Sequence, residues 1–126
     1  MALCLAPFPV SRQAMRWWAW CDQYGVTDIF AYNARFDKTH LPELESLTWH
    51  DIMRPAAYRQ HNPKIPVTAD LCSTGRMKRG YGAEPMLRLL SGNRGYHETH
   101  NAILDALDEL VIMRLLGHDL KDYMPL

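Results

Sequence analysis

The stretch Val26-Thr-Asp-Ile-Phe-Ala-Tyr-Asn33 decides the fold class of this chain. Its centre, residues 29–32, is a short apolar run that follows a helical pattern and a glycine turn. A buried strand of an α/β sheet has this pattern, because helices cover both of its faces. We therefore expect an α/β domain whose sheet contains this strand.

A helix is expected immediately before that strand, over residues 11–24, with Gly25 at its C-terminal cap. Successive positions on a helix point in different directions, so three closely spaced tryptophans cannot all share one face. We expect at least one of them at the surface or against another chain. They are Trp17, Trp18 and Trp20.

The segment after the strand alternates between helical and broken patterns. Leucines three residues apart predict a helix over residues 38–47, with Pro42 in its first turn. Residues 49–53 could form another short strand. Prolines and polar residues divide the region 54–79, and we expect short helical turns and loops there.

The last third of the chain is predicted to be helical. A short helix is expected over residues 83–90, followed by a glycine-containing turn. Residues 100–116 carry a wide apolar stripe at helical spacing, and Gly117 ends that helix. The chain shows no internal repeat or long linker, so we treat residues 1–126 as one domain with an irregular segment at 1–10.

Composition narrows the class of protein without identifying a function. The chain has 126 residues and 48% hydrophobic residues, which is ordinary for one globular domain. Lys and Arg total 14, as do Asp and Glu, so any nucleic-acid partner must be attracted by local charge. The three scattered cysteines fit a reducing cytoplasm, and we expect neither a signal peptide nor a membrane span.

Two short segments combine residue types that carry chemistry. Tyr32-Asn-Ala-Arg-Phe-Asp37 lies directly after the predicted strand, where open α/β sheets bind ligands. His100-Asn-Ala-Ile-Leu-Asp105 opens the long helix, and His100 is expected at or just before the helix start. Each segment places an aspartate where its carboxylate could point into a cleft.

These segments resemble the second and third motifs of the DEDDh 3′→5′ exonuclease family. Residues 32–37 match the form [HY]NAxFD, and residues 100–106 match H[NG]AxxDA. Residues 49–53 and 78–87 resemble elements that lie between these motifs in the family, and helix 11–24 resembles the helix that precedes the second motif. The resemblance implies an RNase H-like α/β exonuclease domain and covers nearly the whole chain.

The resemblance also implies a mechanism and a set of site residues. Two Mg²⁺ or Mn²⁺ ions, held partly by Asp37 and Asp105, would activate water for hydrolysis of a phosphodiester, with His100 as the general base. The partner would be the single-stranded 3′ end of DNA or RNA. The residues expected to contact it are Asn33, Phe36, Arg76, Lys78, Arg79 and Tyr81.

One family motif is missing from the sequence. The family's first motif, Asp-x-Glu on the first strand, does not occur before residue 37. We therefore expect a domain truncated at its N-terminal side, with few strands, a large helical share, and a homo-oligomer or complementing chain at that side. The alternatives are a non-catalytic module that binds nucleic acid or protein, and a structural remnant that dimerises through its sheet edge.

Simpler roles remain open for the same residues. Asp37 could cap a helix that starts at Lys38, and His100 could be an ordinary polar residue at a helix start. Asp105 could be exposed to solvent, Asp108 and Glu109 could form a solvated face, and the basic residues of 54–79 could be solvated. A further alternative is a transition-metal site formed by His97, His100 and Asp37.

Overall fold

The structure is a computed structural model that describes residues 10–126 as a mixed α/β fold. Its described part contains five α-helices and a two-stranded parallel sheet, with single turns of 3-10 helix at Pro42–Leu44 and Leu120–Asp122. In chain order, the helices and strands are α1 Val10–Gln23, β1 Asp28–Ala31, α2 Ala34–His40, β2 Thr48–Asp51, α3 Met53–Ala57, α4 Ala83–Ser91 and α5 Ala102–Leu116.

The two strands confirm the α/β class. β1 and β2 run parallel, with Asp28 paired to Thr48 and Ala31 paired to Asp51. Parallel strands need a crossover connection, and α2 lies within it. Ile29 and Ala31 of β1 are buried, as expected for a covered strand. The RNase H-like fold itself stays a prediction.

The two outer edges of this sheet are in different situations. The edge of β2 is covered by the C-terminal residues, because Pro125 forms an antiparallel bridge with His50 and the Leu126 amide donates to the Trp49 carbonyl at 2.9 Å. The outer edge of β1 has no strand partner within residues 10–126. The covered edge was not foreseen from the sequence.

Helix α1 confirms the helix predicted over residues 11–24 to within one residue at each end. Gly25 follows it with a positive φ of 64°, as its predicted capping role requires. Trp18 and Trp20 are 52% and 45% exposed, so the expectation of a surface tryptophan is confirmed. Trp17 is partly buried against the small core that contains Cys21. The predicted irregular segment 1–10 falls outside the described residues except for Val10, which begins α1.

The helix predicted over residues 38–47 is wrong. Helix α2 begins earlier and ends at His40, and a 3-10 turn follows at Pro42–Leu44. The cause is Pro42, whose ring disfavours helical geometry in the residue before it. Leu41 accordingly leaves the helical region, with φ −129° and ψ 62°.

Strand β2 and the region after it largely follow the predicted pattern. β2 ends at Asp51, two residues before the predicted limit, and Met53 begins the five-residue helix α3. The segment that follows consists of turns and loops held by isolated bridges, including Tyr58 to Arg76. Short elements are what the prolines of this region dictate.

The larger core lies between α4 and α5. It includes Ile52, Met86, Leu90, Ile112 and Tyr123, all at most 2% exposed. Helix α4 confirms the helix predicted over 83–90, and the residue after it, Gly92, has a φ of 75°. Packing of α4 on α5 fixes the position of α5 relative to the sheet.

Helix α5 begins two residues later than predicted. The side chain of Asn101 caps it by accepting from the amides of Ile103 and Leu104, so His100 lies just before the helix. Ile112 is the one fully buried residue of α5, and most of its apolar stripe is exposed. The helices of the described part include none with the length and apolar character needed to cross a membrane.

Candidate functional site

The two sequence motifs share an unusual backbone conformation. Among residues 10–126, the non-glycine residues with positive φ are Asn33, at 60°, and His100, at 56°. Left-handed geometry costs L-residues free energy and is enriched at ligand-binding and catalytic positions. Each motif therefore contains a turn that is maintained despite the conformational free energy that its left-handed residue costs.

The turn after β1 is tied to the end of β2 by one carboxylate. Oδ1 of Asp51 accepts hydrogen bonds from the amides of Ala34, at 3.2 Å, and Met53, at 3.1 Å. Asn33 starts the turn, and Ala34 begins α2. These contacts hold together the C-terminal ends of both strands, which is the end where parallel sheets bind ligands.

Asp37 lies in the first turn of α2 and is partly buried. Burial raises the pKa of its carboxyl group, and the nearby charge of Asp51 raises it further, while His40 opposes the rise. The alternative in which Asp37 caps a helix starting at Lys38 is wrong, because Asp37 is inside the helix and Asn33 holds the capping position.

Glu109 joins this end of the site from α5. Burial raises the pKa of its carboxyl group to about 7, and the charge of Asp37 contributes to the rise, while the backbone amide of Tyr32 favours the charged form. The interpretation of Glu109 as part of a solvated face is therefore wrong. Its spacing of four residues from Asp105, one helical turn, was the signal that could have identified it.

A second group of carboxylates surrounds the start of α5. Asp105 is partly buried, and its Oδ1 has no hydrogen-bond partner among the described residues, so plain solvent exposure does not describe this residue. Burial raises the pKa of Glu98, the charge of Asp105 adds to the rise, and His100 opposes it. Asp108 is also partly buried and accepts a hydrogen bond from the hydroxyl of Tyr96. Glu98 is thus close enough to both Asp105 and His100 to sense their charges.

The two carboxylate groups do not form a metal site in the part of the chain that the structure describes. There, no three His, Cys, Asp or Glu side chains are grouped closely enough to hold an ion. His97 does not join His100 and Asp37, because its ring lies 3.6 Å from Glu84 and 3.2 Å from Arg88. The donors within residues 10–126 do not fit a metal by themselves, and the expected Mg²⁺ or Mn²⁺ stays a prediction.

A tyrosine pair connects the first motif to the predicted nucleic-acid contacts. The hydroxyl of Tyr32 donates to the carbonyl of Tyr81 at 2.5 Å. The guanidinium of Arg76 lies over the Tyr81 ring, 4.9 Å from its centroid. The hydrogen bond brings this aromatic and cationic segment beside Asn33, which is exposed.

The basic residues of the central region divide into two kinds. Lys64 donates to the Leu90 carbonyl at 2.9 Å, and Arg59 donates to the Pro66 carbonyl, so both hold loops in place. Lys78 and Arg79 lie at the surface, 3.5 and 3.9 Å from Asp70. Phe36, from the first motif, is 59% exposed. The structure therefore leaves these cations and this aromatic ring accessible to a ligand.

An apolar groove of about 430 Å³ lies beside the open edge of β1. Helices α1 and α5 form its walls, and Asp28 and Glu109 are its charged lining residues. Glu109 thus faces the groove and also interacts electrostatically with Asp37. The apolar lining includes Trp20, Cys21, Ile29, Leu110 and Met113.

Comparisons of this chain with protein-family models, with curated proteins and with solved structures find no match.

Proposed function

We propose that this protein is a DEDDh-type 3′→5′ exonuclease, which shortens single-stranded DNA or RNA by metal-dependent hydrolysis in the cytoplasm. The observation that carries the proposal is that both motifs hold a left-handed residue, Asn33 or His100, beside partly buried carboxyl groups. An ordinary turn or helix start does not require left-handed backbone geometry together with a partly buried carboxyl group.

In this proposal, His100 is the general base and Asp37 and Asp105 are metal ligands. His100 is exposed and lies just before α5, so its ring can reach a water molecule outside the helix. Because the described carboxylates do not complete a Mg²⁺ or Mn²⁺ site, the proposal requires further ligands from a second copy or a complementing chain. We expect the isolated chain to be slow.

The 3′ end would lie across the segment held by the Tyr32–Tyr81 hydrogen bond. Arg76, Lys78 and Arg79 would neutralise phosphates, since cations at the surface contribute most of the affinity for nucleic acid. Phe36 and Tyr81 would stack on bases, and stacking does not depend on sequence. Asn33 is exposed and directly follows Tyr32, and we propose that it contacts the terminal nucleotide.

A second candidate is a non-catalytic module that binds nucleic acid or protein. It is favoured by the absence of a three-ligand metal group in residues 10–126, where the accessible cations and rings are nevertheless present. The two candidates share the binding surface and differ in whether His100 does chemistry.

Hydrolysis distinguishes the two candidates. We would incubate the chain with 5′-labelled single-stranded DNA or RNA in Mn²⁺, beside the variants His100→Ala and His61→Ala. The exonuclease proposal predicts slow shortening from the 3′ end that is lost in His100→Ala and kept in His61→Ala, because His61 is an exposed histidine in another loop. Binding without His100-dependent shortening would leave the module as the better account.

Binding tests the surface that both candidates share. The triple variant Arg76→Ala/Lys78→Ala/Arg79→Ala should lose affinity for a labelled single strand, measured by fluorescence anisotropy at several salt concentrations. Its salt dependence should decrease by about 2 in slope, since each phosphate contact on a single strand contributes about 0.7. The control Lys121→Ala removes a surface cation from the C-terminal end and should leave both quantities unchanged.

A further inference from the structure

The C-terminal segment, residues 118–126, is anchored by the buried ring of Tyr123. Beyond that ring, a small number of contacts attach it to the sheet. Pro125 bridges to His50, and the Leu126 amide donates to the Trp49 carbonyl at 2.9 Å. At the other end of the segment, Nε2 of His118 donates to the His61 carbonyl at 2.7 Å. This segment is what covers the outer edge of β2.

His50 lies under the middle of these contacts and uses both of its ring nitrogens. Nδ1 is 2.7 Å from the carbonyl oxygen of Tyr123, and Nε2 is 2.7 Å from Oδ1 of Asp28. His50 is 7% exposed, so water does not substitute freely for either partner. A carbonyl only accepts hydrogen bonds, and so does an ionised carboxylate.

Both contacts are therefore hydrogen bonds only when the His50 ring carries two protons. Asp28, the partner on β1, is ionised, because hydrogen bonds from Thr27 and from His50 lower the pKa of its carboxyl group. Phe30 stacks on the His50 ring, with centroids 4.5 Å apart, and an aromatic face favours a cation. Within the described residues, the Asp28 carboxylate and the Tyr123 backbone carbonyl are in hydrogen-bond contact with the ring, and of these two groups only the carboxylate titrates.

We propose that His50 is a proton-operated clamp that holds residues 124–126 against β2 while its ring is an imidazolium. When the ring loses one proton, a single N–H remains for two acceptors. The charged acceptor, Asp28, makes the stronger bond and retains it. The lone pair of Nδ1 then faces the Tyr123 carbonyl, and the contact that held the C-terminal segment becomes repulsive.

The contact of His118 does not share this sensitivity. It involves one ring nitrogen in hydrogen-bond contact with a carbonyl, so a neutral imidazole supplies the proton it needs. Release therefore begins at the Tyr123 carbonyl, while the Tyr123 ring stays in the core and His118 stays in place. Detachment of residues 124–126 exposes the N–H and C=O groups along β2, which is an edge that another strand can pair with.

Amide exchange measures the attachment of the segment directly. The protection of the Leu126 amide should be measured by pulse labelling at about pH 5.5 and about pH 8.5, on either side of the range in which imidazole loses its charge. After correction for intrinsic exchange rates, protection in the wild-type chain should fall about three- to tenfold, as expected for the loss of one buried hydrogen bond.

Asp28→Asn is the matched variant. An amide nitrogen at position 28 can donate to the lone pair of a neutral Nε2, while Nδ1–H still donates to Tyr123. The clamp is then complete at high pH, and the fall in protection should disappear. His118→Gln should keep the fall, because it alters the other end of the segment.

Equal protection of the wild-type Leu126 amide at both pH values would overturn the proposal. The same fall in Asp28→Asn as in the wild type would overturn it equally. If Asp28→Asn does not fold, His50→Gln replaces it, because its amide does not change charge between these pH values and should also remove the fall. None of these results depends on nuclease activity.

Discussion

At the scale of single residues, two tyrosine hydroxyls have opposite surroundings. Tyr123 is 2% exposed, and its hydroxyl has no hydrogen-bond partner within residues 10–126. The hydroxyl of Tyr96 donates to Asp108, and this hydrogen bond raises the pKa of Tyr96 to about 12. A buried hydroxyl without a partner costs free energy, whereas a bonded hydroxyl contributes it.

The change Tyr123→Phe should therefore stabilise the protein by about 1 kcal/mol, because it removes an unsatisfied polar group and keeps the ring. Urea unfolding at constant pH measures the gain. Tyr96→Phe is the control and should reduce the free energy of unfolding by a similar amount. A loss of stability in Tyr123→Phe would show that its hydroxyl has a partner.

Glu109 makes the stability of the fold depend on pH. Its pKa of about 7 in the folded chain lies above the ordinary value of 4.5. Between these values the folded state binds more protons than the unfolded state, so the free energy of unfolding falls as pH rises through this window and stays lower above it. Burial of the charged carboxylate is the physical cause.

Glu109→Gln should remove this pH dependence. The variant should be about 1–3 kcal/mol more stable than the wild type at about pH 8, with a much smaller difference at about pH 5. Urea unfolding at both pH values measures this, with Glu45→Gln as an exposed control. If the gain in stability of Glu109→Gln does not increase with pH, Glu109 is not the group that makes stability depend on pH.

The backbone at His100 gives a third prediction at this scale. Glycine is normally less stabilising than alanine at a loop or helix position, but left-handed geometry reverses the order. His100→Gly should therefore be about 0.5–1 kcal/mol more stable than His100→Ala by thermal unfolding. The opposite order should hold at His61, whose φ is not positive. Alanine being the better residue at position 100 would contradict the observed turn.

Individual site residues were predictable only where a motif marked them. Asp37, His100 and Asp105 stand in recognisable segments, and the structure places them at the sheet end or at the start of α5. Glu109 carries no motif, and its burial depends on how α5 packs, which periodicity does not determine. His50 was likewise not foreseen, because its partners lie in β1 and in the C-terminal segment.

At the scale of helices and strands, α5 has an unusual division between buried and exposed apolar residues. Ile112 is fully buried against α4, whereas Leu107 is 51% exposed. Removing buried methyl groups leaves a cavity, and removing exposed ones does not. The helix is apolar nearly all round, yet one narrow side of it contributes most of the stability.

Ile112→Ala should cost about 2–4 kcal/mol in the free energy of unfolding. Leu107→Ala, the matched change on the same helix, should cost less than about 1 kcal/mol. Chemical denaturation of both variants measures the difference. Similar losses for the two changes would show that the exposed face of α5 is covered in solution.

Element boundaries were predictable where glycine or a side-chain cap determined them. Gly25, Gly92 and Gly117 follow helices with positive φ, and α1, α4 and α5 were found close to their predicted limits. The exception was the helix that leucines three residues apart predicted over residues 38–47. There, the restriction that Pro42 places on the preceding residue outweighed the periodicity. The C-terminal cover of β2 depends on long-range pairing, which no local pattern encodes.

At the scale of the whole molecule, the sequence predicted the α/β class and the helical share, while the sheet has two strands in the described part. The open edge of β1, the groove beside it and the exposed face of α5 adjoin one another. We propose that the missing metal ligands come from a chain that binds at the open edge of β1 and the exposed face of α5. We propose that the two groups of carboxylates, to which Asp105 and Glu109 belong one helical turn apart, are halves of one centre.

A double-mutant comparison of 3′-end shortening tests directly whether the two groups of carboxylates act as one centre. The rate on a 5′-labelled single strand in Mn²⁺ would be measured for the wild type, Asp37→Asn, Asp105→Asn and the double variant. If the two aspartates act in one centre, each single change lowers the rate at least about tenfold and the double change lowers it little further. No shortening by the wild type, or rates unaffected by either change, would contradict the account.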